Sequence, residues 1–248
     1  METAVTSQKW PSTLWIVRHG ESEANVARAA AYQAGATRIA IDNRDMDVQL
    51  SERGVEQALT LGRWFGAMAP EEQPTAILTS PYTRTRQTAE NICLGADLGR
   101  YLPVVLDERL REREFGVFDG LTNMGIREKY PDLAQLRFLV GKFYHRPPGG
   151  ESWADVILRL RSILGTITRD YAGERLMIVC HSVVVLCFRY LLERMTEEQI
   201  LAVDKGPDVA NCSVTSYRFD PQAGQRGKLM LDLYNFVAPT VERTSSAI

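Results

Sequence analysis

The sequence predicts an α/β fold, one unit carrying an insertion, and three observations predict it. Short apolar runs at 14–17, 76–79 and 176–179 each stop at a polar residue, and a helix start follows each one directly. Stripes of apolar residues at helical spacing separate these runs, as in a sheet whose strands are joined by helices. Between 116 and 150 that order loosens, which marks the insertion. The chain has 248 residues, 45% of them hydrophobic, enough for a single domain over 1–248 with a sizeable core.

Trp15-Ile-Val-Arg-His-Gly-Glu-Ser-Glu-Ala-Asn25 opens the order of elements: strand 14–17, then a helix from about Glu21 through Ala31. Residues 35–50 show neither period and read as a surface loop near the strand end. Ser51 is an N-cap for a helix whose apolar stripe is Val55, Ala58, Leu59, Gly62, Phe65 and Met68, ending before Pro70. Strand 76–79 stops at Ser80-Pro81, and a helix spans Tyr82–Glu90 with Arg84 and Arg86 in its first turn. Only one of these arginines should point inward, because residues two apart on a helix face different ways. Val104–Leu106 is a further strand.

The insertion, 116–150, contains helical pieces at 122–129 and 132–143 and reads as a lid or substrate-selecting segment. Ser152 and Asp155 cap a core helix, strand 176–179 ends in Cys180-His181-Ser182, and an apolar helix runs from about Val183 to Arg194. A hairpin is expected over 213–219 and 229–236, and a mobile tail from Pro239.

A net charge of −2 gives no electrostatic basis for binding nucleic acid. Met1–Pro11 lacks the apolar segment of a signal peptide, and no stretch approaches the roughly 18 uninterrupted apolar residues of a membrane span. No membrane association and a cytoplasmic protein are therefore expected. The four cysteines, Cys93, Cys180, Cys187 and Cys212, lack zinc spacing and read as reduced core thiols. Cys212 and Arg218 have the Cys-x5-Arg spacing of cysteine-dependent phosphatases. The intervening Ser-Val-Thr-Ser-Tyr has no glycine to turn its amides onto a phosphate, and it favours a strand.

Two of the three histidines, His19 and His181, fall at the ends of expected buried strands, near Arg18 and Arg84 at similar sites. That set suits phosphoryl chemistry. A neutral His19 can attack while its other nitrogen is held by a carbonyl. Arg18 offers a fork of donors to phosphate oxygens, and Gly20 would let the backbone approach the ligand. The third histidine, His145, is given no catalytic part.

Arg18-His19-Gly20-Glu21-Ser22 with Asn25, Asp47-Val-Gln-Leu-Ser-Glu-Arg-Gly54, Ser80-Pro-Tyr-Thr-Arg84, Leu110-Arg-Glu112, Gly149-Gly-Glu-Ser152 and Cys180-His181-Ser182 together resemble the histidine phosphatase superfamily. The resemblance runs in order from about 14 to 190. It implies a three-layer α/β/α sandwich with a mostly parallel central sheet and a helical lid. It also implies a two-step reaction in which His19 is the nucleophile, while Arg18, Arg84 and His181 surround the phosphoryl. Glu112 stands in the proton donor's position, and Asn25 and Ser182 are further substrate contacts. Arg111 and Arg113 would oppose a protonated Glu112 if they faced it, and alternation along an extended segment should point them elsewhere. No metal and no cofactor are implied.

The family's mutases carry a lysine where Gly120-Leu-Thr-Asn123 has Asn123, and an arginine pair in the lid that is absent here. The expectation is a phosphomonoester hydrolase acting on a small phosphorylated metabolite. Mutase-type phosphotransfer and a non-catalytic domain binding a phospho-ligand are the alternatives. The aromatics Phe115, Phe118, Phe138, Phe143 and Tyr144 suggest a partly apolar mouth, where Arg137, Lys142 and Arg146 could accept a second anionic group. The same residues would serve equally as lid core and lid surface.

Overall fold

The computed structural model describes residues 8–97 and 102–239, so most of the tail expected from Pro239 lies outside the described residues. In chain order the elements are β1 (Thr13–Arg18), α1 (Glu23–Gln33), α2 (Glu52–Gly66), β2 (Ala76–Thr79), α3 (Thr83–Ala96), β3 (Val104–Leu106), α4 (Asn123–Lys129), α5 (Pro131–Val140), α6 (Trp153–Asp170), β4 (Arg175–Cys180), α7 (Ser182–Leu192), α8 (Glu197–Asp204), β5 (Val214–Asp220) and β6 (Lys228–Phe236). They build one six-stranded sheet in the order β3-β2-β4-β1-β5-β6. The pairs β2–β3, β2–β4 and β1–β4 are parallel, whereas β5 joins β1 antiparallel and β6 joins β5 antiparallel.

Strand alternation sorts the core into two layers, because successive side chains leave a strand on opposite faces. Leu14, Ile16, Leu78, Leu176 and Ile178 pack with Val156, Leu160, Ile163 and Ile167 of α6 and Val184 and Phe188 of α7. Trp15, Val17, Ile77, Met177 and Val179 pack instead with Ala58, Leu61 and Phe65 of α2 and Ala89 and Ile92 of α3. β1, β2 and β4 thus feed both cores, the expected three-layer sandwich. Truncating one of these fully buried side chains to alanine costs about 2–5 kcal/mol.

Local chemistry sets the helix ends. The Ser51 hydroxyl accepts the Gly54 amide at 3.0 Å, and Ser152 and Asp155 cap α6 reciprocally. α1 begins at Glu23 rather than Glu21 because Ser22 is its N-cap, with Asn25 closing a capping box. α3 continues past Glu90 to Ala96, where Asp97 takes a left-handed conformation. α7 stops at Leu192, before Arg194 with its φ of 54°. α8 has no counterpart among the expected elements, although Thr196 and Gln199 form a capping box at its start.

The insertion holds α4 and α5 close to the expected helical pieces. Its aromatics divide: Phe118 and Phe143 are buried, whereas Phe138 and Tyr144 are exposed. No side chain of α5 is buried. Among the described residues no helix is long and apolar enough to cross a membrane.

Candidate active site

Sheet order puts three strand ends side by side, since β4 lies between β2 and β1. Arg18 is in register with Cys180, and Thr79 with Val179, so the residues just beyond these strands, His19, His181 and Ser80, meet at one edge. In open α/β sheets the carboxyl ends of the strands are where ligands bind.

His19 is 4% exposed, and its Nδ1 lies 2.7 Å from the Gly20 carbonyl oxygen. A carbonyl only accepts, so Nδ1 carries the proton and Nε2 keeps the lone pair. Burial first, then the Arg84 and Arg18 guanidiniums, hold the His19 pKa well below the usual histidine range. The same causes, burial and then Arg84, depress that of His181, whose ring centroid lies 5.3 Å from that of His19. At neutral pH both rings are neutral. The His181 Nε2 is 2.9 Å from the Ser80 hydroxyl, and its Nδ1 is buried without a partner.

Arg84 is buried in the first turn of α3 while Arg86 is exposed, as residues two apart on a helix require. Its guanidinium donates to the main-chain oxygen of Asp45 and, at 3.1 Å, to the Asp45 carboxylate. Arg18 donates to the Val209 carbonyl and leaves its buried Nε unpartnered. Burial lowers the Arg18 pKa, partly offset by the charges of Glu112 and Asp208.

Glu112 is 9% exposed, its Oε1 accepting the Arg113 amide at 2.9 Å and its Oε2 facing the Ser182 hydroxyl at 3.3 Å. Arg111 turns away to Glu151 at 2.7 Å. Arg113 is buried with its guanidinium over the Phe115 ring, and among the described residues it makes no ion pair with Glu112.

Three details of the sequence reading are sharpened. The Asn25 Oδ1 accepts from the Ser22 amide and hydroxyl, both at 3.1 Å, and from Asn211 Nδ2 at 3.2 Å. Asn25 therefore first builds the start of α1, with only its side-chain nitrogen left to face a ligand. Gly20 serves packing: a Cβ there would sit 2.5 Å from the Gly54 carbonyl oxygen in α2. Cys212 and Arg218 are not brought together as a phosphate loop. The Cys212 thiol is buried, with its pKa pushed up to about 12, and Arg218 pairs with Asp232 across β5 and β6.

Sequence reasoning missed Asp45, Ser80, Thr88 and Asn211 as neighbours of the site. Thr88 Oγ1 accepts the Gly20 amide at 3.0 Å, and Asn211 donates to the His19 carbonyl at 3.0 Å. Polar residues one turn inside a helix, as Thr88 is, or in the connections that follow α1 and α8, as Asp45 and Asn211 are, carry no local mark of such contacts. Ser80 did have one, since it occupies a strand end like His19 and His181.

Imidazoles and guanidiniums gathered at the carboxyl edge of a mostly parallel sheet define an α/β protein equipped to hold an anion. The histidine phosphatase superfamily (branch 1) matches residues 14–230, and the chain belongs to that family. It is 33% identical over 173 residues to the phosphoglycerate mutase-like protein AT74 of Arabidopsis thaliana, covering 68% of this chain and 50% of that protein. It is 32% identical over 191 residues to the fructose-2,6-bisphosphatase of Saccharomyces cerevisiae, covering 76% of this chain and 36% of that protein. The chain thus spans half or less of the length of these curated relatives. Among solved structures, a mycobacterial glucosyl-3-phosphoglycerate phosphatase complexed with VO3 shares the fold, with a TM-score of 0.66 at 24% identity, covering 90% of this chain and 99% of that one.

Proposed function

We propose that this protein is a phosphomonoester hydrolase acting through a phosphohistidine at His19. The observation that carries the reading is the His19 ring: buried, neutral, and held by the Gly20 carbonyl so that Nε2 presents its lone pair. In the first step Nε2 attacks phosphorus, the ester P–O bond breaks, and its electron pair leaves with the alkoxide, which takes a proton from Glu112. In the second step water attacks phosphorus, the N–P bond breaks back to neutral His19, and the Glu112 carboxylate takes the water's proton. Arg18, Arg84 and His181 meet the charge on the equatorial oxygens, the side-chain nitrogen of Asn25 adds a donor, and Ser182 orients Glu112. Acid–base help of this kind contributes about 10²- to 10⁴-fold.

The lid cations bear on the substrate. Lys142 is tied to Asp204 and Arg146 to Asp155, so of the three only Arg137 has no such partner among the described residues. The buried Arg113, whose pKa is lowered by burial and by Arg137, has an Nε without a partner among the described residues. These two cations support a small phosphorylated metabolite that carries a second acidic group.

The test is hydrolysis of p-nitrophenyl phosphate and of a panel of phosphorylated metabolites in EDTA, by wild type and His19→Ala. Turnover lost in His19→Ala, with an acid-labile, alkali-stable phosphoenzyme in the wild type, supports the reading. No hydrolysis of any ester would sink it, and bisphosphoglycerate-primed isomerisation outrunning hydrolysis would replace it with mutase chemistry.

A further inference from the structure

We propose that Ser80 is a positioning residue that fixes the tautomer of His181, so that His181 presents an N–H donor, and not a lone pair, to the bound phosphoryl group. The inference deepens the phosphatase reading and rests on it for its effect on turnover.

Atom accounting carries the argument. Ser80 is fully buried at the end of β2, with its hydroxyl 2.9 Å from His181 Nε2. The same oxygen receives the Tyr82 amide at 3.4 Å, and that N–H only donates. The Thr79 and Thr85 hydroxyls are directed to the Ser80 carbonyl at 3.2 and 2.9 Å, so neither faces the Ser80 side chain. Among the described residues the one acceptor left for the Ser80 proton is His181 Nε2. If the ring donated instead, the Ser80 proton would be buried without an acceptor, which is the costlier arrangement.

With Nε2 accepting, the single proton of a neutral imidazole resides on Nδ1. That atom is buried and unpartnered in the protein without ligand. An unspent buried donor beside a nucleophile matches an incoming oxyanion.

The two rings therefore hold their protons to opposite purpose. His19 spends its Nδ1 proton on the Gly20 carbonyl and keeps a lone pair for attack. His181 spends its Nε2 lone pair on Ser80 and keeps a proton for the phosphoryl oxygen. Their centroids are 5.3 Å apart, so a reversed His181 would set a second lone pair against the substrate's negative charge. The other near neighbour of the ring, Tyr82, meets it edge-on at 5.1 Å and sends its hydroxyl to Glu114, so it does not choose the tautomer.

The experiment is nitrogen NMR of the ¹⁵N-histidine-labelled full chain, wild type and Ser80→Ala, with kinetics and orthovanadate binding on the same samples and Ser80→Thr as the hydroxyl-retaining variant. In the wild type the His181 ring should show the Nδ1–H tautomer. Ser80→Ala should mix or reverse it, lower kcat roughly 10- to 100-fold, less than removal of a direct oxyanion donor, and weaken vanadate binding. Ser80→Thr should recover tautomer and kcat together.

An Nε2–H tautomer in the wild type overturns the proposal even if Ser80→Ala fails to fold. So does a folded Ser80→Ala with unchanged tautomer and kcat. A wild type that hydrolyses no phosphomonoester, yet shows the Nδ1–H tautomer and loses it in Ser80→Ala, supports the Ser80 assignment and sinks the phosphatase reading alone.

Discussion

The Asp45 carboxylate, reaching in from the loop between α1 and α2, pairs with the buried Arg84 guanidinium at 3.1 Å. Arg84 is 5% exposed at the side chain and Asp45 41%, so the arginine is fixed and the acid is free to leave. On the proposed function, an anionic ligand and Asp45 would compete for one cation.

Asp45→Asn should therefore tighten binding of inorganic phosphate by about 2- to 10-fold, a modest gain because the pair is screened on its exposed side. Product inhibition of p-nitrophenyl phosphate hydrolysis measures it. Weaker inhibition would show that Asp45 holds Arg84 in place rather than competing for it.

Acid should destabilise the protein earlier than its carboxylates require. Burial lowers the pKa of all three histidines, together with Arg84 at His19 and His181 and with Arg137 at His145. Below about pH 6.5 the unfolded chain takes up protons that the folded one refuses, so stability present above that pH is lost as pH falls toward the folded values. Each such histidine contributes a slope of at most about 1.4 kcal/mol per pH unit. Tm read from pH 7.5 to 5 should drop, and a flat profile would contradict the assignment of neutral rings.

Close backbone contact should make Gly54 intolerant of substitution. A Cβ at Gly54 would lie 2.0 Å from the Glu21 carbonyl oxygen, two residues beyond His19. Gly54→Ala should cost about 1–3 kcal/mol by overpacking and reduce kcat through displacement of the His19 segment. Denaturant unfolding and kinetics on one sample would separate the two effects, and wild-type kcat in Gly54→Ala would disprove the second.

Cys212→Ser should leave turnover within about threefold of wild type, since the thiol is buried and its raised pKa of about 12 keeps it protonated. Loss of activity there, with His19→Ala still active, would move the chemistry to the cysteine.

Most of the sheet was legible in the sequence because β1, β2 and β4 are short apolar runs buried on both faces, each stopped by a polar residue. His19, His181 and Arg84 were legible for the same reason: their places are strand ends and a first helical turn. Asp45 was not, because it belongs to a segment of neither period whose conformation is set by contact with α3. Ser80 stood in view as the residue that ends β2, and only its 2.9 Å contact with His181 gives it a further meaning. α8 was overlooked because only Glu193, Arg194, Met195 and Thr196 separate it from the end of α7, with Arg194 turned left-handed.

The lid helix α5 buries none of its side chains. Substitutions along it therefore escape the pressure that stability places on a core, and the helix is free to drift in composition while the two layers on either side of the sheet stay constant. Two descendants of such a chain could come to differ widely along α5 without either having to repack the sheet that carries His19 and His181.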